Sequence, residues 1–278
     1  MEDTSPTSTY TDPVARLLTQ GEPKGLRDAW DDYSSFGFGA EHVPELVRMA
    51  TDMALNQAKT ESDEVWAPVH AWRILGQLGA EEAIEPLLKL LHLVDDEGDD
   101  ILPSDMPKVM AMIGPAAVPA IVAYLKDAKH GVWARAAAGE SLSAMGGTHP
   151  ETRDACVAAL TEQLACFADN GPDLNAFLVS ALTDLSAVES ASVMEQAFAA
   201  GEVDLFVQGD WEEVQLELGL LDQRTKPRPR GGWLGVGLLD DGPPRATGTP
   251  SSSGKSQAKA KKKKRKDQKK SRKKNRKK

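Results

Sequence analysis

WAPVHAWRILGQLG, residues 66–79, returns as WARAAAGESLSAMG, residues 133–146, and this recurrence decides the fold. Trp66, Ala67, Ala71, Leu75, Leu78 and Gly79 align with Trp133, Ala134, Ala138, Leu142, Met145 and Gly146, a displacement of 67 residues. A fainter echo is Ile84-Glu85-Pro86-Leu87-Leu88, answered by Val118-Pro119-Ala120-Ile121-Val122. Elements that return every 33–35 residues mark a helical repeat array, because one helix pair cannot bury its apolar face until a neighbour stacks on it. The expected fold is all-α, a helical repeat solenoid.

Outward from these two stretches, helical periodicity dominates residues 11–200 and strand-like alternation is scarce. Ala, Leu, Glu, Met and Gln are plentiful, as helices prefer. The pattern predicts helices over 65–78, 82–93, 105–113, 116–126, 132–145, 151–167, 173–186 and 191–199. Pro13–Leu18, Leu26–Tyr33 and Glu41–Leu55 read as helical segments before them. Gly79, Gly114, Gly131 and Gly171 read as helix-ending glycines. Proline is comfortable only in a first turn, so the helix holding Pro68 either begins near Ala67 or is kinked there. Asp210-Trp211-Glu212-Glu213 opens a last helix, its acids suited to the positive helix end. Trp211, Val214 and Leu216 or Leu218 are placed to close the array as a cap.

Charge divides the chain. Residues 1–222, the expected array, carry 39 acidic and 12 basic side chains, a net −27. Residues 223–278 carry 21 basic and 3 acidic ones, a net +18. Within them, 223–254 reads as a Pro/Gly/Ser-rich linker and 255–278 as a disordered Lys/Arg-rich tail. The linker holds an apolar island, Trp233-Leu234-Gly235-Val236-Gly237-Leu238-Leu239, which either packs on the end of the array or waits for a partner. The N-terminal residues show no secretory signal. The longest nearly apolar stretch, Ala116–Leu125, is half of the ~20 residues a spanning helix needs. Cys156 and Cys166 lie ten apart, which does not bring them onto one helix face. Free thiols suit a reducing interior, so the expectation is a cytoplasmic protein without a membrane partner.

The second copy, with Val132, Arg135, Ala138, Leu142 and Gly146, resembles the HEAT-like repeat known from phycobilisome lyase subunits. EHVPELVRMATD, HAWRILGQLGAEEAIEPLL, MIGPAAVPAIVAYL and GDWEEVQLELGL carry a closer likeness, over about Trp30 to Leu220, to an uncharacterised bacterial family of HEAT-like proteins. The resemblance implies the fold and almost nothing about activity. Some members of that family end in a SEC-C segment, a Cys-rich zinc module. Such a site needs about four ligands held tetrahedrally. No cysteine follows Cys166 and no histidine follows His149, so the chain departs from the family there, and the basic tail stands in that place.

Trp66, His70, Arg73 and Gln77 share one helix face. They read either as a recognition strip, with an aromatic platform and an Arg fork, or as structure, with Trp66 packed and Arg73 and Gln77 solvated. The equivalent face of the second copy carries Trp133, Ala137, Glu140 and Ala144, which makes a pair between Arg73 and Glu140 a further structural reading. The acidic run Asp95–Asp100 fails as a calcium loop, since Asp100 holds the sixth place and Met106 the twelfth. His42, His70, His92, His130 and His149 are scattered, and stacking, capping or surface roles are expected of them. No GxSxG, phosphate-binding loop or GxGxxG occurs, and no cofactor or catalytic residue is assigned.

In the tail, Lys261, Lys262, Lys263, Lys264, Arg265, Lys266, Lys269, Lys270, Arg272, Lys273, Lys274, Arg276, Lys277 and Lys278 read as contacts for nucleic acid or an acidic partner. The absence of aromatics there excludes base stacking. Binding to the chain's own acidic body is the rival for the same cations. The expectation is a non-enzymatic scaffold that binds a protein through its helix face; the alternative is a nucleic-acid- or ribosome-associated protein anchored by the tail. An enzyme related to bilin lyases has only the fold analogy behind it.

Overall fold

A computed structural model describes residues 10–23, 30–59 and 61–227. All of them belong to the unit Met1–Gly237; the second unit, Leu238–Lys278, lies outside them, as does the whole basic tail. Among the described residues every regular element is helical. The longer helices are α1 (Val43–Ala50), α2 (Ala67–Gln77), α3 (Ile84–Leu90), α4 (Leu102–Ile113) and α5 (Val118–Lys126). They continue with α6 (Val132–Thr148), α7 (Arg153–Leu164), α8 (Pro172–Asp184), α9 (Ala191–Ala199) and α10 (Trp211–Glu217). Helices α1, α2, α4, α6 and α8 pack each on the next, and α3, α5, α7 and α9 form a second succession. The first succession is the better buried: ten residues of α2, Ala67 through Gly76, are withdrawn from solvent.

Local chemistry explains where the helices begin. α2 starts at Ala67, which places Pro68 in the first turn where its missing N–H costs nothing. α4 starts at Leu102, earlier than its periodicity suggests, because the Asp99 carboxylate accepts from the N–H groups of Ile101 and Leu102 at 2.8 Å each. α6 is capped from a distance. Asp95 accepts from the N–H groups of Trp133 (3.1 Å) and Ala134 (2.9 Å). Gly131 therefore opens α6 and ends nothing, with φ −63°, and a Cβ there would fall 2.1 Å from the Asp95 carboxyl carbon. This corrects the reading of Gly131 as a helix-ending glycine.

The two aligned glycines also part ways. Gly79 follows α2 in the left-handed region at φ 62°, while Gly146 stays inside α6. A Cβ on Gly146 would meet Leu185 at 2.9 Å and the Arg153 Cα at 3.3 Å, so this glycine serves close packing between helices. Arg135 is buried and donates from Nε to the Leu125 carbonyl (2.8 Å), one of the orphan acceptors at the end of α5. A buried amide network of Gln163, Asn170 and Asn175 holds the turn between α7 and α8. Asn175 also donates to the carbonyls of Phe167 and Glu202.

Both ends differ from the sequence expectation. Residues 14–19 and 33–36 are 3₁₀ helices, and residues 30–32 are not helical. At the other end Arg224 is ion-paired with Asp210, Glu212 and Glu213 at the start of α10, so the chain stays against that helix past residue 222. Acids at the positive end of α10 concentrate negative charge there, and a guanidinium with several donors satisfies them together. Trp211 packs against Phe198 at a centroid distance of 5.7 Å, with Val214 buried beneath. Among the described residues no single helix is long and apolar enough to cross a membrane.

Candidate functional site

On α2 the side chains of Trp66, His70, Arg73 and Gln77 share a face as the spacing requires, but that face is closed. His70 is 1% exposed and Arg73 0%. The expectation of a solvent-facing recognition strip is corrected here: residues from the N-terminal segment lie across it. Tyr33 donates its O–H to His70 Nδ1 (2.6 Å), while His70 Nε2–H donates to the Gly21 carbonyl (2.9 Å). Gln77 accepts from the Tyr33 N–H (3.0 Å) and donates to the Asp31 carbonyl (2.9 Å). Trp66 is half-buried against the core.

Arg73 is neither solvated nor paired with Glu140. Its Nε and Nη2 hold the two oxygens of Asp105 on α4 at 2.6 and 3.1 Å, and Trp72 Nε1 donates to the same carboxylate at 3.0 Å. The Trp30 ring covers the guanidinium, 4.6 Å from Cζ, and also takes the Lys108 ammonium at 4.0 Å. Burial pushes the Tyr33 phenol up to about 12, opposed by the nearby Arg73 charge. Burial lowers the His70 pKa, aided by Arg73 and opposed by the Gly21 contact, so the neutral ring is favoured. The sequence did carry a signal for Asp105: an acid directly before the apolar residues Met106, Val109 and Met110 of a core helix. A cavity of about 370 Å³ adjoins the seam, between Tyr33, Phe38, Ile74, Gln77, Leu78 and Met112.

On the corresponding face of the second copy Ala137 is buried, Glu140 and Ala144 are half-buried and Trp133 is exposed. Trp133 is 44% exposed and meets Phe177 of α8 edge-on, with centroids 5.7 Å apart at 83°. Seven residues on from each, Glu140 and Asp184 stand on the same faces of their helices. Burial, and then the charge of Asp184, pushes the Glu140 carboxyl up to about 7. Burial also raises Glu217 on α10, with Glu213 and Asp184 adding to it. Among the described residues Glu140, Asp184 and Glu217 form no ion pair. The face thus presents an exposed tryptophan two helical turns from Glu140, a half-buried carboxyl without an ion-pair partner among the described residues.

Elsewhere the polar groups serve structure. Asp95 and Asp99 of the acidic run are caps. His130 stacks on Tyr124 at 3.7 Å, His42 accepts from the Gly39 N–H, and His149 meets the Ala111 carbonyl. Among the described residues no group of three His, Cys, Asp or Glu side chains is placed to hold a metal ion. Burial raises the Cys156 thiol, whereas Cys166 is exposed. The tail cations Lys261–Lys278 lie outside the described residues.

No curated protein and no solved structure matches the chain. A family model described as "Protein of unknown function (DUF1186)" matches residues 39–225. That range begins just after the covering residues Trp30–Phe38 and takes in α1 through α10, hence both helix faces. The chain belongs to the DUF1186 family.

Proposed function

We propose that the chain is a non-enzymatic, HEAT-like helical-repeat scaffold that holds an extended protein segment on the face formed by α6 and α8. The observation that carries this reading is the contrast between the two copies. In the first, Trp30 and Tyr33 of the N-terminal segment cover the face; in the second, Trp133 is 44% exposed at the aligned place, edge-on to the half-buried Phe177. The two successions of helices, each packed on the next, support the solenoid part of the reading. Tryptophan is among the residue types most enriched in recognition hot spots, and Trp133 is exposed here.

The test is crosslinking mass spectrometry of the full chain in its native cells, comparing wild type with Trp133→Ala. Partner crosslinks should map to α6 and α8 and fall with the variant. Identical crosslinks in both would refute the reading. A nucleic-acid or ribosome association is favoured by one separate observation, the 16 Lys and Arg within residues 255–278. Removing residues 255–278 should then abolish salt-dependent nucleic-acid capture, and capture that survives unchanged would eliminate the tail as anchor.

A further inference from the structure

We infer that residues Trp30–Phe36 form a pH-sensitive strap over α2, held shut while the His70 ring is neutral and released when that ring takes up a proton.

The strap is fastened by side chains. Among the described residues no backbone–backbone hydrogen bond joins residues 30–36 to another element. Two side chains of α2 hold it instead, His70 and Gln77, seven residues apart and therefore on one helix face. Gln77 grips the backbone of Tyr33 and Asp31, His70 takes the Tyr33 hydroxyl, and Trp30 rests on Arg73 and Lys108. Within the strap Asp32 accepts from the Ser34 N–H at 2.9 Å, and the Tyr33 and Phe36 rings meet at 5.6 Å. These internal contacts let it leave as a unit. Gly37 and Gly39 flank Phe38 between the strap and α1 and supply a hinge; Gly37 sits at φ 79°, where a side chain would be strained.

His70 is the fastening that a proton undoes. A neutral imidazole offers one donor and one acceptor, and both are engaged. Nε2–H donates to the Gly21 carbonyl at 2.9 Å, and Nδ1 accepts from the Tyr33 O–H at 2.6 Å. A further proton can bind only at Nδ1, where it turns the acceptor into a second donor facing the phenol. Exchange of tautomers gives no relief, because the Gly21 carbonyl requires the hydrogen on Nε2.

The closed site also offers little counter-charge. His70 is 1% exposed, and the Arg73 cation on its own helix acts against a second positive charge. Asp105 of α4 is already engaged by Arg73 and Trp72, and Lys108 of the same helix is another cation, against Trp30. Tyr33 stays protonated, its phenol pushed up to about 12. Asp31 of the strap favours the charged ring but is outweighed by burial, and Asp63 lies on the far side of Gly21. Opening the strap gives both the ring and the phenol water as partners, so the open form binds the proton more readily than the closed one. A solvated histidine near its ordinary value of about 6.5 gains most of a proton between pH 7.5 and 5.5, which raises the open population by up to about tenfold.

One other histidine touches this segment. His42 Nδ1 accepts from the Gly39 N–H at the hinge, 3.0 Å away, with a Glu41 oxygen 3.6 Å from the same nitrogen. It serves as the control.

Hydrogen-exchange mass spectrometry on the full chain at pH 7.5 and 5.5, corrected for the intrinsic pH dependence of amide exchange, tests the strap. Protection of residues 33–36 should fall by about three- to tenfold at pH 5.5, while α6 and α8 keep theirs. His70→Gln replaces the ring with a donor and acceptor that does not titrate, and should remove the response; His42→Gln should leave it. Nitrogen NMR of the wild-type His70 ring needs no variant: it should show the neutral Nε2–H form at pH 7.5. A change below about twofold would overturn the proposal, as would a response that persists in His70→Gln or disappears in His42→Gln. Equal loss in α6 and α8 would mean acid unfolding of the whole and overturn it too, and so would a charged or Nδ1–H ring at pH 7.5.

Discussion

Removing the carboxylate of Asp105 should be among the most damaging single changes available to the described helices. Asp105 is 1% exposed and accepts from Arg73 Nε, Arg73 Nη2 and Trp72 Nε1 at 2.6, 3.1 and 3.0 Å. Asp105→Ala strands a guanidinium that is 0% exposed and an indole N–H beside it. An uncompensated buried charge costs about 3–5 kcal/mol, and the unpaired indole adds about 1 kcal/mol. The sum, about 4–6 kcal/mol, approaches the whole stability of many domains. No discount for solvent screening applies, because both partners are withdrawn from water. Arg73 Nη1 already lacks a hydrogen-bond partner among the described residues, so the guanidinium has no spare contact to fall back on. The midpoint of urea unfolding followed by far-UV circular dichroism should fall accordingly, and Tm should drop by on the order of 10 °C or more. The decisive comparison is the cycle with Arg73→Met. Replacing both partners removes the stranded charge, so Arg73→Met/Asp105→Leu should cost at least about 2 kcal/mol less than the sum of the two single changes. Additive costs, or a loss below about 1 kcal/mol for Asp105→Ala, would refute the reasoning.

The other predictions concern caps, protons and thiols. Asp95→Ala should destabilise by about 1 kcal/mol by uncapping α6. Gly131→Ala displaces the same carboxylate, so the double variant should cost less than the sum; strict additivity in urea melts would argue against the shared cap. The folded-state pKa of His70 is depressed, so its contribution to stability is present above pH 6.5 and is lost as pH falls through the folded value. The stability difference between wild type and His70→Gln should therefore shrink as pH falls from about 7 to 5, and a difference independent of pH would contradict a buried neutral ring. In the native state Cys166 should react with a thiol reagent while Cys156 reacts only on unfolding; two equally fast thiols would contradict the burial of Cys156.

Most helix positions were legible because periodicity reports directly which residues meet a neighbour. Pro68 located the start of α2 within one residue, since a proline ring tolerates only the first turn. Gly131 was misread because the sequence cannot show that Asp95, far back along the chain, supplies the cap that requires a bare Cα there. The strip Trp66, His70, Arg73 and Gln77 was assembled correctly as a helix face. Its exposure was misjudged because polar side chains on one face look the same whether water or another segment meets them.

The sequence by itself determined that the chain is helical, that its elements recur, and that its charge is split between an acidic body and a basic end. Each of these follows from local composition and from the period of the apolar residues. Only the tertiary structure decided which copy of the repeated face is occupied. Covering Arg73 depends on Trp30 and Asp105, which are distant in sequence and adjacent only after the chain has folded back. The Trp133 ring meets Phe177 edge-on and stays 44% exposed, so two stretches that align residue by residue differ in how far their shared face is closed.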